Sequence, residues 1–281
     1  MSPPKTVRVG TLNIGGGNPI VLIAGPCVVE NRDLILLTAA RVSEIAKKHR
    51  IPCIFKSSYR KANRMSGQSF STIGMEEALS VLAEVKEKFR LPILTDIHSV
   101  EEARIAAEVA DVIQVPAFLS RQTEILEAAG KTGKAVNIKK GQFLTPGDMK
   151  YQAAKVAATG NRNILLTERG TTFGYHNLVV DMRSLAIMRS IGYPVVLDAT
   201  HSIQLPGADS GHAGGEPEFI FPIARAGVAV GVDALFVEVH PNPRKALSDA
   251  ASQLPLGLLE DLVVQVKAID RTVRRVVGAH Y

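Results

Sequence analysis

A cysteine, a histidine and two carboxylic acids fall at or just beyond the ends of apolar runs in this chain. Cys27 closes "IVLIAGPC", His201 follows "VVLDAT", Glu238 lies in "ALFVEVH", and Asp249 sits in the stretch "HPNPRKALSDAASQLPL" that comes next. A thiolate, an imidazole and two carboxylates form a donor set for a divalent transition metal such as Zn, Fe or Mn. Each residue also has a plainer reading. A strand-end cysteine is often a small buried hydrophobe, and a histidine among polar neighbours is usually just hydrogen-bonded. Glu238 could pair with a rim lysine or arginine, and Asp249 could cap a helical turn. Cys27 could also be a nucleophile with His201 as its base, although nothing else in the chain supports acyl chemistry. The metal reading gains weight only if the fold brings all four together.

A second group of residues carries positive charge. "FKSSYRKANRMSGQSF" holds Lys56, Arg60, Lys61 and Arg64, and Arg121, Lys139, Lys140 and Arg169 follow at or just after the ends of later apolar runs. Guanidinium groups bind phosphate through two parallel hydrogen bonds, and lysines add point charges. About half of these cations are expected to be ordinary solvated rim charge. Lys139 and Lys140 are adjacent, so in a strand they point to opposite faces and one turns inward. An inward lysine needs an anion, and this many cations suggest more than one phosphate.

The elements that would position these groups alternate regularly. Behind a short candidate hairpin, "TVRVGTLNI", eight apolar strand candidates alternate with amphipathic helical stretches such as "MEEALSVLAEVKEKF" and "LEDLVVQVKAIDRTVRRVV". Near-continuous apolar strands separated by helices indicate a parallel sheet covered on its faces. Eight such units predict a (β/α)8 TIM barrel with an N-terminal β-hairpin, one domain over residues 1–281. An open doubly wound sheet is the competitor, but the first strand-to-helix turn lacks a glycine-rich dinucleotide fingerprint. In a barrel, strand eight closes onto strand one, so Cys27, His201 and Glu238 lie on neighbouring strands. Asp96, Gln114 and His240 also end strands, on the face where barrel enzymes carry their chemistry. "LPGADSGHAGGEPEF" reads as a long loop after the seventh strand.

Composition narrows the class. The chain has 281 residues, 46% hydrophobic and 21% charged, with two cysteines, Cys27 and Cys53, and a formal charge of +6. Two cysteines argue against a disulfide framework. No apolar run is long enough to span a bilayer, and "MSPPKTVRVG" lacks a signal-peptide core, so a cytoplasmic location with no membrane partner is expected. Scattered basic residues and only 5% aromatics favour small anionic substrates over nucleic acid.

The motifs "IAGPC", "FKSS", "KANR", "TDIH", "PAFLSRQTEIL", "NIKKGQFLTPGDM", "ERGTTFGY", "DATHSIQLPG" and "EVHPNPRKALSDAASQLPL" resemble those of the 3-deoxy-D-manno-octulosonate 8-phosphate synthase family, from about Val21 to the last helix. That resemblance implies a homotetrameric barrel that condenses phosphoenolpyruvate with arabinose 5-phosphate and releases phosphate, within lipopolysaccharide synthesis. Cysteine rather than asparagine in the first-strand motif implies the metal-dependent class, with Cys27, His201, Glu238 and Asp249 as ligands. The resemblance also implies that Lys61, Lys139 and Arg169 hold phosphoenolpyruvate, with Gln114 and Ala117 lining its site. Lys56, Asn63 and Arg64 would face the aldose phosphate, and Ser58 and Arg121 complete the substrate-binding set. Asp96 would lie near the reacting centre, and Cys27, Asp96, His201, Asn63 and Lys61 are the expected catalytic group.

Three stretches depart from the family pattern. "YRKANRMS" stands for "FDKANRSS", "SFSTIG" for "SFRGPG", and "AGGEPE", with Pro217, for "SGGxRE". All three touch the side expected to receive the aldose, and Arg60 is expected to supply part of the lost charge. The alternatives are 3-deoxy-arabino-heptulosonate 7-phosphate synthase, acting on erythrose 4-phosphate, and a non-catalytic sugar-phosphate-binding barrel. "KSSYRKANR", where the heptulosonate enzymes carry "KPRTS", favours the octulosonate enzyme.

Overall fold

The computed structural model describes residues 4–62, 69–209 and 212–278. Its eight barrel strands are β1 (Val21–Gly25), β2 (Cys53–Lys56), β3 (Ile93–Asp96), β4 (Val112–Val115), β5 (Ala135–Lys139), β6 (Ile164–Glu168), β7 (Val195–Asp198) and β8 (Ala234–His240). The helices that follow them in turn are α1 (Arg32–His49), α2 (Met75–Phe89), α3 (Val100–Ala107), α4 (Thr123–Lys131), α5 (Met149–Ala158), α6 (Met182–Arg189), α7 (Ile220–Val230) and α8 (Leu259–Gly278). Each strand pairs in parallel with the next, and β8 pairs with both β7 and β1, which closes the sheet. This is the (β/α)8 barrel that the alternation predicts.

Alternation of side chains splits the core into two layers. Val21 and Ile23, Ile54, Leu94, Val112, Ala135, Leu165, Val196, Ala234 and Phe236 fill the inside of the barrel. Their strand neighbours, among them Leu22, Phe55, Ile93, Ile113 and Leu197, join the outer layer with the helices. Period-two alternation forces this division, since successive strand residues face opposite sides. The predicted hairpin is present as Val7–Val9 against Leu12–Ile14. Its Val7, Val9 and Ile14 belong to the inner cluster and seal the end of the barrel where the strands begin.

Local chemistry sets the helix ends. Asn31 caps α1 by accepting the Leu34 N–H at 2.9 Å, and Ser99 accepts from the Glu102 N–H at the start of α3, which satisfies donors the first turn leaves free. Both α1 and α2 end on an arginine in the left-handed region, Arg50 at φ 47° and Arg90 at φ 56°. The segment read as a long loop after the seventh strand is more ordered than that reading allows: Gln204–Asp209 and His212–Gly215 form an antiparallel ribbon. Its hydrophobic alternation is broken by glycine and proline, which hides a strand from pattern reading. Beyond β8, Leu254–Pro255 pairs with the strand's last two residues and folds the Asp249 segment back over the barrel mouth.

Candidate active site

The inward-facing positions change character towards the strand ends. On β2, Ile54 is followed two residues later by Lys56; on β3, Leu94 by Asp96; on β4, Val112 by Gln114. On β5, Ala135 leads to Asn137 and Lys139, on β7 Val196 leads to Asp198, and on β8 Phe236 leads to Glu238. All of these polar side chains are buried. They satisfy one another across the barrel, as buried polar groups must. Thr167 donates to Asn137 Oδ1 at 2.6 Å, Asn137 donates to Gln114 Oε1 at 2.8 Å, and Gln114 donates to Asp96 Oδ1 at 2.8 Å. The Ser58 hydroxyl donates to the other Asp96 oxygen. Burial opposes ionisation of Asp96, but the Lys56 and Lys139 ammoniums outweigh it and hold the carboxyl at about 2. Phe236 marks the boundary: Lys139 Nζ lies 4.4 Å and Lys56 Nζ 5.5 Å from its ring centroid.

At the β1–β8 side, one donor atom from each of Cys27, Glu238 and Asp249 lies within 4.8 Å of the others. His201 Nε2 stands 3.7 Å from both the Glu238 and the Asp249 carboxylate. Several features of the chain enforce this meeting. Gly25 lets β1 run against β2, since a Cβ there would come 2.0 Å from the Lys56 carbonyl oxygen. Gln253 accepts the Cys27 N–H at 3.3 Å and donates to the Ser248 carbonyl at 2.8 Å, so it ties the cysteine to the Asp249 loop. Asp249 itself sits in the left-handed region at φ 49°. On the far side of the imidazole, His201 Nδ1 lies 2.8 Å from Asp198 Oδ2, whose carboxylate also pairs with Lys139 at 2.7 Å. Asp198 thus meets one imidazole nitrogen and leaves Nε2 facing Glu238 and Asp249, the arrangement typical of metal-ligating histidines.

Charge is unevenly met here. Burial, then the Asp249 and Glu238 carboxylates, push the Cys27 thiol well above its usual range. Burial would do the same to Asp249 and Glu238, but Lys61 and His201 hold the first carboxyl down, and Lys56 and His201 the second. The Lys61 ammonium lies 3.2 Å from Cys27 Sγ and against Asp249, so a cation already sits among these donors. Glu238 Oε1 takes Lys56 at 2.5 Å, whereas its buried Oε2 has no hydrogen-bond partner. An orphaned buried carboxylate oxygen, a correctly oriented imidazole and a thiol fit a divalent metal ion.

His201 and Glu238 of this cluster border a cavity of about 300 Å³, within the lower range of ligand pockets. Lys56, Lys61, Lys139 and Arg169 line it together with Ser58, Ala117 and Asp96. Arg169 donates to Gln204 at 3.0 Å, but its buried Nη1 has no partner. A guanidinium kept from water with a free N–H is a receptor for an anion.

The structure brings together Cys27, His201, Glu238 and Asp249, and separately Lys56, Ser58, Lys61, Ala117, Lys139 and Arg169. Gln114 lies beneath the cavity and holds Asp96 in place. Arg121 is exposed and does not line the cavity; its carbonyl accepts from Lys155. Asn63 and Arg64 lie outside the described residues. Lys140 faces outward and is fully buried, 3.4 Å from Glu168 and bonded to Thr171 at 2.9 Å, so it pins the loop after β6. Arg60 borders the cavity, but its charge is met by Glu102 at 2.8 Å. His240 lies 3.5 Å from Glu30 and away from the Cys27 cluster. Pattern reading missed Asp198, the partner of both His201 and Lys139. The "DATH" spacing, which places it three residues before His201, is the signal that could have found it.

The sequence profile of the DAHP synthetase I family matches residues 4–275. This chain belongs to that family. Among curated relatives, the 2-dehydro-3-deoxyphosphooctonate aldolase of Geotalea uraniireducens is 54% identical over 270 residues, 96% of this chain and 99% of that protein. The proteins of the same name from Trichlorobacter lovleyi and Geobacter metallireducens are 53% and 52% identical over the same length. No helix among the described residues is long and apolar enough to cross a membrane.

Proposed function

We propose that the cavity is the active site of a transferase that condenses phosphoenolpyruvate with D-arabinose 5-phosphate and water, giving 3-deoxy-D-manno-octulosonate 8-phosphate and phosphate. The observation that carries this reading is the convergence of Lys56, Lys61, Lys139 and Arg169 on one cavity, with the buried Arg169 Nη1 unpaired. Two phosphates and a carboxylate need that many cations. The name shared by the relatives selects the octulosonate product over its heptulosonate counterpart.

In this reading Lys61, Lys139 and Arg169 bind phosphoenolpyruvate, with Ala117 against it. Lys56, Ser58, Asn63 and Arg64 face the aldose phosphate. The enol carbon C3 attacks the aldehyde carbon, water adds at C2, and the C–O bond to the phosphate of the resulting hemiketal breaks. Asp96, ionised down to about pH 2, is a weak base at neutral pH. Its role is therefore to stabilise the positive charge that develops at C2, while Gln114 and Ser58 fix its orientation. The cation cluster holds the phosphate that departs. Cys27, His201, Glu238 and Asp249 would hold a divalent metal, which supplies a Lewis acid near the aldehyde oxygen or a water.

The assembly is a homotetramer and the location cytoplasmic, with the chain as one domain. Supporting self-association, Phe143 and Phe173 are 56% and 69% exposed on loops joined by the Thr172 N–H to Gln142 carbonyl bond, and Tyr175 beside them is 95% exposed. Solvent-facing aromatics in one place mark contact surfaces.

The test is phosphate release from phosphoenolpyruvate with each aldose phosphate, before and after chelation. Release with arabinose 5-phosphate that stops on chelation and returns with a divalent ion is expected. Release only with erythrose 4-phosphate would overturn the product assignment, and none with either would favour a non-catalytic sugar-phosphate-binding barrel.

A further inference from the structure

The opposite end of the barrel carries a second and larger cavity, of about 780 Å³, at the roots of β2 and β3. Its walls are the turn of the N-terminal hairpin, the last turns of α1 and α2, and the two short loops that lead into those strands. The two loops repeat a pattern, "KHRIPCI" and "KFRLPIL", in which an arginine follows the helix and an apolar residue and a proline precede the strand. Leu12, Ile51, Phe89 and Leu91 make the cavity apolar, and Lys47, Arg50 and Arg90 place positive charge at its edge.

Three observations set this cavity apart from an ordinary crevice between helices. First, Lys47, Arg50 and Arg90 are exposed to solvent and have no carboxylate or hydrogen-bond acceptor for their side chains among the described residues. Lys86, the fourth cation, is already paired with Asp111 at 2.8 Å, and the remaining acid, Glu87, is exposed. Second, Ser43 on α1 is one of the lining residues, and its hydroxyl is buried, with the residue 2% exposed, and has no hydrogen-bond partner. Third, Arg50 and Arg90 both occupy the left-handed region, at φ 47° and 56°. Glycine is the usual residue there, because a Cβ makes that conformation unfavourable. Favouring cations at helix C-termini does not explain this, since Lys47 and Lys48 on α1 and Lys86 and Lys88 on α2 already complement those ends from within the last turn. Twice, at equivalent positions facing one cavity, the chain keeps a strained arginine where glycine would relax the backbone. Backbone strain kept in this way is a signature of function.

We propose that this cavity is a binding site for a small organic anion, a carboxylate or phosphate carried on an apolar body, distinct from the site at the strand ends. Arg50 and Arg90 clasp the anionic group from two sides, Lys47 adds charge, and the Ser43 hydroxyl donates the hydrogen bond it lacks a partner for. The apolar body rests against Phe89, Leu91, Ile51 and Leu12. The volume falls within the range of small-molecule pockets. An occupant would touch the loops that start β2 and β3, strands that carry Lys56 and Asp96 at their other ends.

Titration calorimetry of the full chain with phenyl phosphate and with benzoate tests this at low ionic strength, using inorganic phosphate and benzyl alcohol as the anion and the apolar body alone. At least one of the first two is expected to bind, tenfold or more tighter than either half-probe. Arg50→Gly/Arg90→Gly should lower that affinity tenfold or more while keeping the thermal unfolding midpoint at or above that of the parent chain, because glycine relieves both left-handed residues. Arg169→Gln, at the other end of the barrel, should leave it unchanged. An unchanged affinity in the double glycine variant, loss of all binding in Arg169→Gln, or equal binding of benzyl alcohol would overturn the proposal. Ser43→Ala provides a milder second probe, expected to weaken binding several-fold; no change there removes the hydroxyl from the site.

Discussion

The two ends of this barrel are built from the same eight strands and face the same interior, yet they differ in almost every physical property. Where the strands begin, the interior is Val21, Ile23, Ile54, Leu94, Val112 and Leu165, closed by the hairpin residues Val7, Val9 and Ile14. Two residues further along the same inward rows stand Lys56, Asp96, Gln114 and Thr167. The first end is held by apolar burial, which is non-directional and tolerant of substitution by shape. The second is held by paired charges and directional bonds, each of which leaves a costly orphan when its partner is removed. One end supplies stability and the other spends part of it on chemistry.

The largest expected effect falls at the charged end. Glu238→Ala leaves the Lys56 ammonium buried without its partner and should destabilise by about 3–5 kcal/mol, while removing one candidate ligand. Denaturant unfolding and metal analysis read both, and retained metal with full turnover would remove Glu238 from the ligand set. Cys27→Ser is nearly isosteric and should be well tolerated by the fold. It should nonetheless reduce metal content and turnover together, by more than the roughly 10–100-fold typical of outer-shell partners of a metal. Unchanged metal content would return Cys27 to the status of a buried filler.

At the apolar end the signature reverses. Leu94→Ala should cost about 2–5 kcal/mol in unfolding free energy, with turnover per folded molecule close to that of the parent. A large kinetic effect with little loss of stability would break the division between the two ends. Gln114→Ala tests the seam between them. Losing the bond to Asp96 and leaving Asn137 without an acceptor should cost about 1–3 kcal/mol and lower turnover, since Asp96 then keeps only the Ser58 half of its orienting pair.

The smallest effect is on pH. Asp96 is held at about 2 against an ordinary value of 3.8, so its folded-state pKa is depressed. It contributes stability that is complete above the ordinary value and is lost as pH falls from near 4 through about 2. Glu102, lowered to about 2 from 4.5 against the opposing effect of its burial, chiefly by its bonds with His98 and Tyr59, acts in the same window and sign. Stability curves for the parent chain and Asp96→Asn should converge as pH drops through that window.

Much of this was legible in the chain. Eight apolar runs with helical spacers determine a closed parallel sheet, and closure alone makes neighbours of the ends of β1, β7 and β8. Cys27, His201 and Glu238 could therefore be placed together before any coordinate was known. Period two likewise sends Lys139 inward and Lys140 outward. What escaped was pairing between distant elements. Arg60 looked like a free cation for the aldose side, but Glu102, carried on α3, meets its charge, and no spacing rule links those two positions. Arg121 follows an apolar run, yet a short 3-10 turn at Ala117–Leu119 carries the chain outward before it. Asp198 was hidden for the opposite reason: it ends an apolar strand like its neighbours, and only its bonds to His201 and Lys139 reveal its role.

Closure of the sheet has one more consequence, for how copies of this chain can meet. Every barrel strand has a partner on both sides, so the barrel offers no row of free amides and carbonyls to an incoming strand. Growth by strand addition, the route by which exposed sheet edges nucleate aggregates and fibres, is closed to it. Contacts made by the barrel wall itself must therefore come from side chains on helices and loops. Surface substitution can weaken or retune those contacts without unpicking a single hydrogen bond of the barrel.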